Sequence, residues 1–211
     1  MNQKGVLIVL SGFSGSGKGT VVKELLNRYS HYDISVSATS RGMRAGEVEG
    51  REYYFKTNEA FKSMIEANEL IEWTEYVGNY YGTPKQYVYE QMEKGDNVIL
   101  EIEMNGALQV RQVVPDALLI FIAPPDALEL EKRLNKRGTE DAATIRKRLE
   151  RAHEEVGFIK QYDYFVVNDD LDQCVTDIHH IIESEKKKIT RQPYLESKYG
   201  TELEQLLKGE H

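Results

Sequence analysis

The chain opens on an unbroken apolar run, Val6-Leu7-Ile8-Val9-Leu10, and meets polar residues and glycines straight after it. A short continuous run of this kind predicts a strand buried on both faces, as in a parallel sheet. Comparable runs recur at Asn97–Glu103, Ala117–Ile122 and Tyr164–Val167. Between them apolar residues return every three or four positions. This spacing predicts helices over Lys18–Tyr29, Asn105–Val113, Asp126–Arg137, Glu140–Ile159 and Asp172–Ile189. Thr139 before Glu140, and Asp126 before its apolar stripe, read as N-caps. Strands alternating with helices predict an α/β fold in which helices flank a parallel sheet.

Residues 34–95 break the alternation. Ser35-Val36-Ser37-Ala38-Thr39 and Tyr53-Tyr54-Phe55 read as strands, Asn58–Ala67 as a helix, and Leu70–Tyr81 as a hairpin turning at Gly78-Asn79. Seven of the 13 tyrosines lie between Tyr53 and Tyr89, which brings rings and hydroxyls together in one stretch. The stretch reads as a polar binding region inserted into the α/β core, or else as simple decoration of it. Near the end, Glu202–Leu207 predicts a short extra helix.

The length of 211 residues suits one domain with insertions. A net charge of -8 speaks against general affinity for nucleic acid or anionic membrane, so an anionic ligand needs a local cluster of cations. The single cysteine, Cys174, excludes an internal disulfide and suits a reducing cytoplasm. The first apolar run is too short for a signal-peptide core, and no stretch reaches membrane-spanning length.

Chemistry enters at Gly12-Phe13-Ser14-Gly15-Ser16-Gly17-Lys18-Gly19-Thr20, directly behind the first strand and opening the first helix. Glycines let successive N–H groups converge on a phosphate, the helix aims its positive end there, and Lys18 adds a mobile charge. Gly19 stands where Ser or Thr is usual and Thr20 follows one place later, so a metal ligand beside the lysine is missing. Arg41 and Arg44 sit three residues apart among glycines and small residues. Alone the pair would be a solvated basic loop; beside a phosphate loop it suggests a second phosphate clamp. Two such sites imply phosphoryl transfer between two nucleotides. Glu101 and Glu103 fall on one strand face at period 2, at the end of the strand that borders a ligand crevice. The basic residues of Leu134–Leu149 read mostly as solvated helix faces. The five histidines lack zinc spacing, and Lys186-Lys187-Lys188 reads as a charged helix end.

Taken together, the phosphate loop, Ser37–Glu47, Glu72, Tyr80-Tyr81-Gly82-Thr83, Glu101-Ile102-Glu103 and Lys136-Arg137-Gly138-Thr139-Glu140 resemble guanylate kinases in order and spacing. Tyr162-Asp163-Tyr164 and Val167-Asn168-Asp169 extend the resemblance to about residues 5–190. It implies the phosphate-loop nucleoside monophosphate kinase fold and transfer of a phosphoryl group from ATP to GMP with Mg2+. Residues 1–33, 96–132 and 161–192 would form the nucleotide-binding core, 34–95 the GMP-binding region, 133–160 a mobile lid and 193–211 a C-terminal extension. By the same resemblance, Gly12 to Thr20 with Asn168 and Asp169 would hold ATP. Glu72 and Thr83 would read guanine, while Arg41, Arg44, Tyr53 and Tyr81, supported by Ser37, would hold the GMP phosphate. Glu103 would lie on the GMP side. Thr20 and Glu101 would meet the metal, largely through water. Arg137 and Arg148 would close on the ATP phosphates, ahead of Arg133 or Arg146. The sequence departs from the family at Phe13, Met43 and Ala45, where prolines are common, and at Asn105, where glutamine is usual. These changes are expected to loosen the loops. A non-catalytic guanylate-kinase-like interaction module and a kinase for another nucleoside monophosphate are the competing readings. The intact Gly17-Lys18 speaks against the first, and the Glu72/Thr83 pair against the second. Oligomeric state is not legible.

Overall fold

A computed structural model describes residues 4–136 and 141–209. Its centre is a sheet of five parallel strands, β1 (Leu7–Gly12), β2 (Tyr32–Ile34), β7 (Asn97–Glu101), β8 (Leu118–Ala123) and β9 (Tyr164–Val167), in the order β2-β7-β1-β8-β9. The continuous apolar run of β1 serves two faces. Ile8 and Leu10 pack with Val21, Leu25, Ile178 and Ile182 of α1 (Lys18–Arg28) and α7 (Leu171–Lys186). Leu7 and Val9 pack with Val88, Met92, Ala107 and Val110 of α3 (Lys85–Lys94) and α4 (Met104–Val113). Each such side chain gains about 1.5–3 kcal/mol on full burial, so the two-sided run places β1 at the middle of the fold. The loop after β1 therefore opens at the carboxyl end of a central strand, beside β7, where Leu10 pairs with Glu101.

A second, four-stranded sheet holds β3 (Ala38–Thr39), β4 (Tyr54–Phe55), β5 (Leu70–Tyr76) and β6 (Asn79–Pro84), ordered β4-β3-β6-β5. Its own small core joins Ala38, Leu70 and Phe61, the last from α2 (Asn58–Glu66). The hairpin turns at Val77-Gly78, both at positive φ, one residue earlier than the sequence suggested. The strand expected over 35–39 shortens to Ala38–Thr39. Ser35 N–H still donates to Ile99 O on the large sheet, so the chain is crossing between sheets there. Neither β2 nor α3 was anticipated.

The strand expected to reach Glu103 ends at Glu101, and Glu103 becomes the N-cap of α4. The two carboxylates therefore do not share a strand face. Helix α5 (Ala127–Lys136) is capped as expected by Asp126, whose carboxylate accepts from Glu129 N–H at 2.7 Å. Helix α6 (Ala142–Val156) is shorter than read and capped by Asp141; Thr139 lies outside the described residues. The terminal helix α8 (Tyr194–Lys208) is longer than the predicted Glu202–Leu207 and buries none of its residues. No described helix is long and apolar enough to cross a membrane.

Candidate functional site

The phosphate loop is held from three sides. Gly17 takes φ 90° at the N-cap of α1, a conformation an L side chain rarely adopts, and an added Cβ would meet Asn168 Nδ2 at 2.6 Å. That amide donates to Ser16 O at 2.8 Å, and Asn168 N–H donates to Ala123 O at 2.8 Å. Asn168, which the resemblance assigned to ATP binding, braces the loop onto the end of β8 in this structure, while Asp169 is exposed. Lys18 Nζ folds onto the loop, donating to Gly12 O at 2.8 Å and Phe13 O at 3.2 Å. Ser16 Oγ is fully buried without a hydrogen-bond partner among the described residues, a polar atom that calls for a ligand in the loop. Gly15 completes the turn and Thr20 lies exposed on the first turn of α1.

Phe13 gives the loop a packing contact of its own. Its ring meets Phe121 edge-on at 5.0 Å and packs on Leu130, Leu134 and Ala152, the small core that joins α5 to α6. The same helices carry arginines to the loop. Arg148 Nη1 donates to Ser14 Oγ at 3.3 Å. Arg133, ranked below it, also arrives, with Nη1 3.5 Å from Ser16 O. Arg146 points away to Glu150, and Arg137 lies outside the described residues.

Arg41 is gripped by Glu47, a role the sequence reading missed. Both guanidinium ends donate to its carboxylate, at 3.0 and 2.8 Å, and Arg44 N–H donates to the same group at 2.7 Å. Each partner's charge holds the other: Glu47 raises the pKa of Arg41, and Arg41 lowers that of Glu47. The guanidinium lies 5.4 Å over the ring of Tyr53, which itself meets Tyr81 at 5.9 Å. Arg41, Tyr53 and Tyr81 are therefore brought together, with Arg44 exposed on the adjoining turn. A three-residue offset gave no hint of Glu47 beyond its presence in the same loop.

Glu72 on β5 is 6% exposed, so its carboxylate is buried rather than facing solvent on the hairpin. Burial raises its pKa above the ordinary value of 4.5, and hydrogen bonds from Thr83 pull it back. Thr83 Oγ1 donates to Glu72 Oε1 at 2.7 Å. The hydroxyl and the carboxylate, both assigned to guanine by the resemblance, are thus paired with each other here. Ser37, Tyr53, Thr83 and Glu101 line one cleft of about 150 Å³. Glu101 also faces the phosphate loop, with its carboxylate oxygens 3.6 and 3.7 Å from where a Gly19 Cβ would stand. Desolvation raises its pKa and the Lys18 charge lowers it. Glu103 instead turns outward and accepts from Arg151 Nη2 of α6 at 2.6 Å, another pairing that sequence spacing could not reveal.

No group of three or more His, Cys, Asp or Glu among the described residues could hold a metal ion. Glu101 is a single carboxylate facing the phosphate loop, which fits a divalent cation carried mainly by phosphate and water oxygens.

Comparison with known proteins agrees with this geometry. The family model described as guanylate kinase matches residues 4–185. The guanylate kinase of Streptococcus mutans is 48% identical over 192 residues, covering 90% of this chain and 91% of that protein. That of Desulfitobacterium hafniense is 48% identical over 191 residues, covering 90% and 96%. The crystal structure of guanylate kinase from Anaplasma phagocytophilum aligns with a TM-score of 0.72 at 33% identity, covering 94% of this chain and 97% of that one. With a central parallel sheet, a braced phosphate loop and these matches along nearly its whole length, the chain belongs to the guanylate kinase family.

Proposed function

We propose that this protein transfers the γ-phosphoryl group of ATP to GMP, giving ADP and GDP. The observation that carries the reading is the position of Glu101. One side chain borders both the phosphate loop and the cleft of Ser37, Tyr53 and Thr83, so two anion sites face each other across it. Residues 1–33, 96–132 and 161–192 act as the core, 34–95 as the GMP-binding region and 133–160 as the lid.

ATP phosphates lie along the N–H groups of Gly12 to Thr20, where Lys18 exchanges loop carbonyls for phosphate oxygens. Arg41, Arg44, Tyr53 and Tyr81 hold the GMP phosphate. A GMP phosphate oxygen attacks the γ-phosphorus, the bond to the β–γ bridging oxygen breaks, and its electron pair leaves with ADP. GMP oxygen is already a competent nucleophile at neutral pH, so positioning and charge neutralisation are what the protein supplies. Arg148 and Arg133 approach the loop from the lid side, where charge accumulates during transfer. Mg2+, when bound beside Glu101 and Thr20, supplies neutralisation of phosphate charge. Ionised Glu72 accepts from guanine N1–H and N2–H; adenine offers no such pair and leaves a buried carboxylate unmatched.

Release of ADP, measured with GMP, AMP, UMP and dGMP as acceptors, tests the reading. Turnover with GMP alone among the ribonucleotides is expected, and preference for AMP would overturn it. Lys18→Ala should nearly abolish turnover while GMP binding stays measurable.

A further inference from the structure

Glu72 is buried at a place where regular strand geometry would not leave it. Ile71 lies in the core cluster with Ala107 and Val110 of α4, and the next side chain, Glu72, also reaches α4 beside Gly106, although successive residues of a strand point to opposite faces. The irregularity is local: the register of β5 against β6 shifts between Leu70 and Trp73, then resumes with Trp73 opposite Gly82. Such a bulge re-aims a side chain, and something must hold it, because a slip of one residue turns every side chain to the other face.

The holder comes from the other layer of the molecule. β5 is an edge strand, and at Trp73 its outward main-chain groups meet the side chain of Gln109 on α4. Trp73 N–H donates to Gln109 Oε1 at 3.1 Å, and Gln109 Nε2 donates to Trp73 O at 3.0 Å. The amide thus pairs with the strand as a neighbouring strand would, immediately after the bulge. Gly106 lies three residues earlier on the same helix face, and an added Cβ there would stand 2.9 Å from Glu72 Oε2. Helix α4 therefore touches the Glu72 carboxylate at Gly106 and grips the main chain beside it at Gln109.

We propose that Gln109 is a positioning residue for base selection: its amide pins the bulge that aims Glu72 at the N1–H and N2–H edge of guanine. It touches no substrate. The proposal rests on the function inferred above, and it assigns part of the preference for a 2-amino purine to a residue of the core helix. The two bonds are half exposed and local, so their loss should spare the fold.

The experiment compares GMP with IMP, which keeps N1–H and O6 but lacks the 2-amino group, in wild type, Gln109→Leu and Gln109→Glu. For Gln109→Leu we expect KM for GMP to rise about tenfold, with the GMP-over-IMP ratio of kcat/KM falling by a similar factor. KM for ATP and kcat should change less than about twofold. Gln109→Glu keeps an acceptor for Trp73 N–H and should fall between. A ratio that stays at the wild-type value in both variants would overturn the proposal, even if both KM values rose, because general loosening of the sheet weakens both acceptors alike. Equal use of IMP and GMP by the wild type would instead remove the Glu72 reading on which the proposal depends.

Discussion

The bracing of the phosphate loop by Asn168 can be measured without any nucleotide. Gly17→Ala introduces two costs. Holding an L residue at φ 90° costs about 1–2 kcal/mol, and the new Cβ, 2.6 Å from Asn168 Nδ2, must displace the amide. Displacement takes from Ser16 O its 2.8 Å donor and leaves only the 3.5 Å approach of Arg133 Nη1, at about 1–3 kcal/mol. Asn168→Ala alone incurs only that second cost, and with it in place an alanine at 17 has nothing to collide with. The double variant should therefore be less destabilised than the sum of the singles by that shared second cost, about 1–3 kcal/mol. Urea unfolding of the four proteins gives the number directly, provided the m-values agree. Additivity within about 0.5 kcal/mol would refute the claim that the amide and the glycine share one contact.

Two further outcomes follow from geometry already described. Glu72→Gln should lower kcat/KM for GMP by at least about a hundredfold while making the ligand-free protein more stable at neutral pH, read from activity and urea midpoint together. The sign is fixed by burial: between 4.5 and its raised value the folded protein holds a proton the unfolded chain has lost. Stability attributable to this group thus falls as pH rises through that interval, and the glutamine variant should lack this dependence. Removing residues 193–211 should leave GMP turnover intact and shift Tm by no more than about 2 °C, since α8 buries no residue.

Much of this was legible in the sequence where the signal was local. The β1 run and the glycines behind it fix strand, turn and helix by adjacency alone, and Tyr164–Val167 was bounded correctly. Helix α3 escaped because only Val88 and Met92 are buried along it, too thin a stripe to stand out. β2 escaped because three residues including Asp33 make a strand only through pairing with Asn97–Ile99. Glu103 was misplaced because the chain leaves β7 two residues early to start α4. The largest gaps are partners. Arg41 and Arg44 were read as residue types suited to a phosphate and Glu72 from the family resemblance alone, but neither route showed that Glu47 pairs with Arg41 or that Gln109 binds the main chain at Trp73. A side chain that binds the main chain of a distant strand leaves no periodicity to read.

Phe13 gives the site one more property. Its ring is common ground between the loop that cradles one nucleotide and the pair of helices that delivers Arg133 and Arg148. Those helices cannot swing outward without baring carbon to water. The ring thereby ties where the two helices sit to how the loop beneath them is seated.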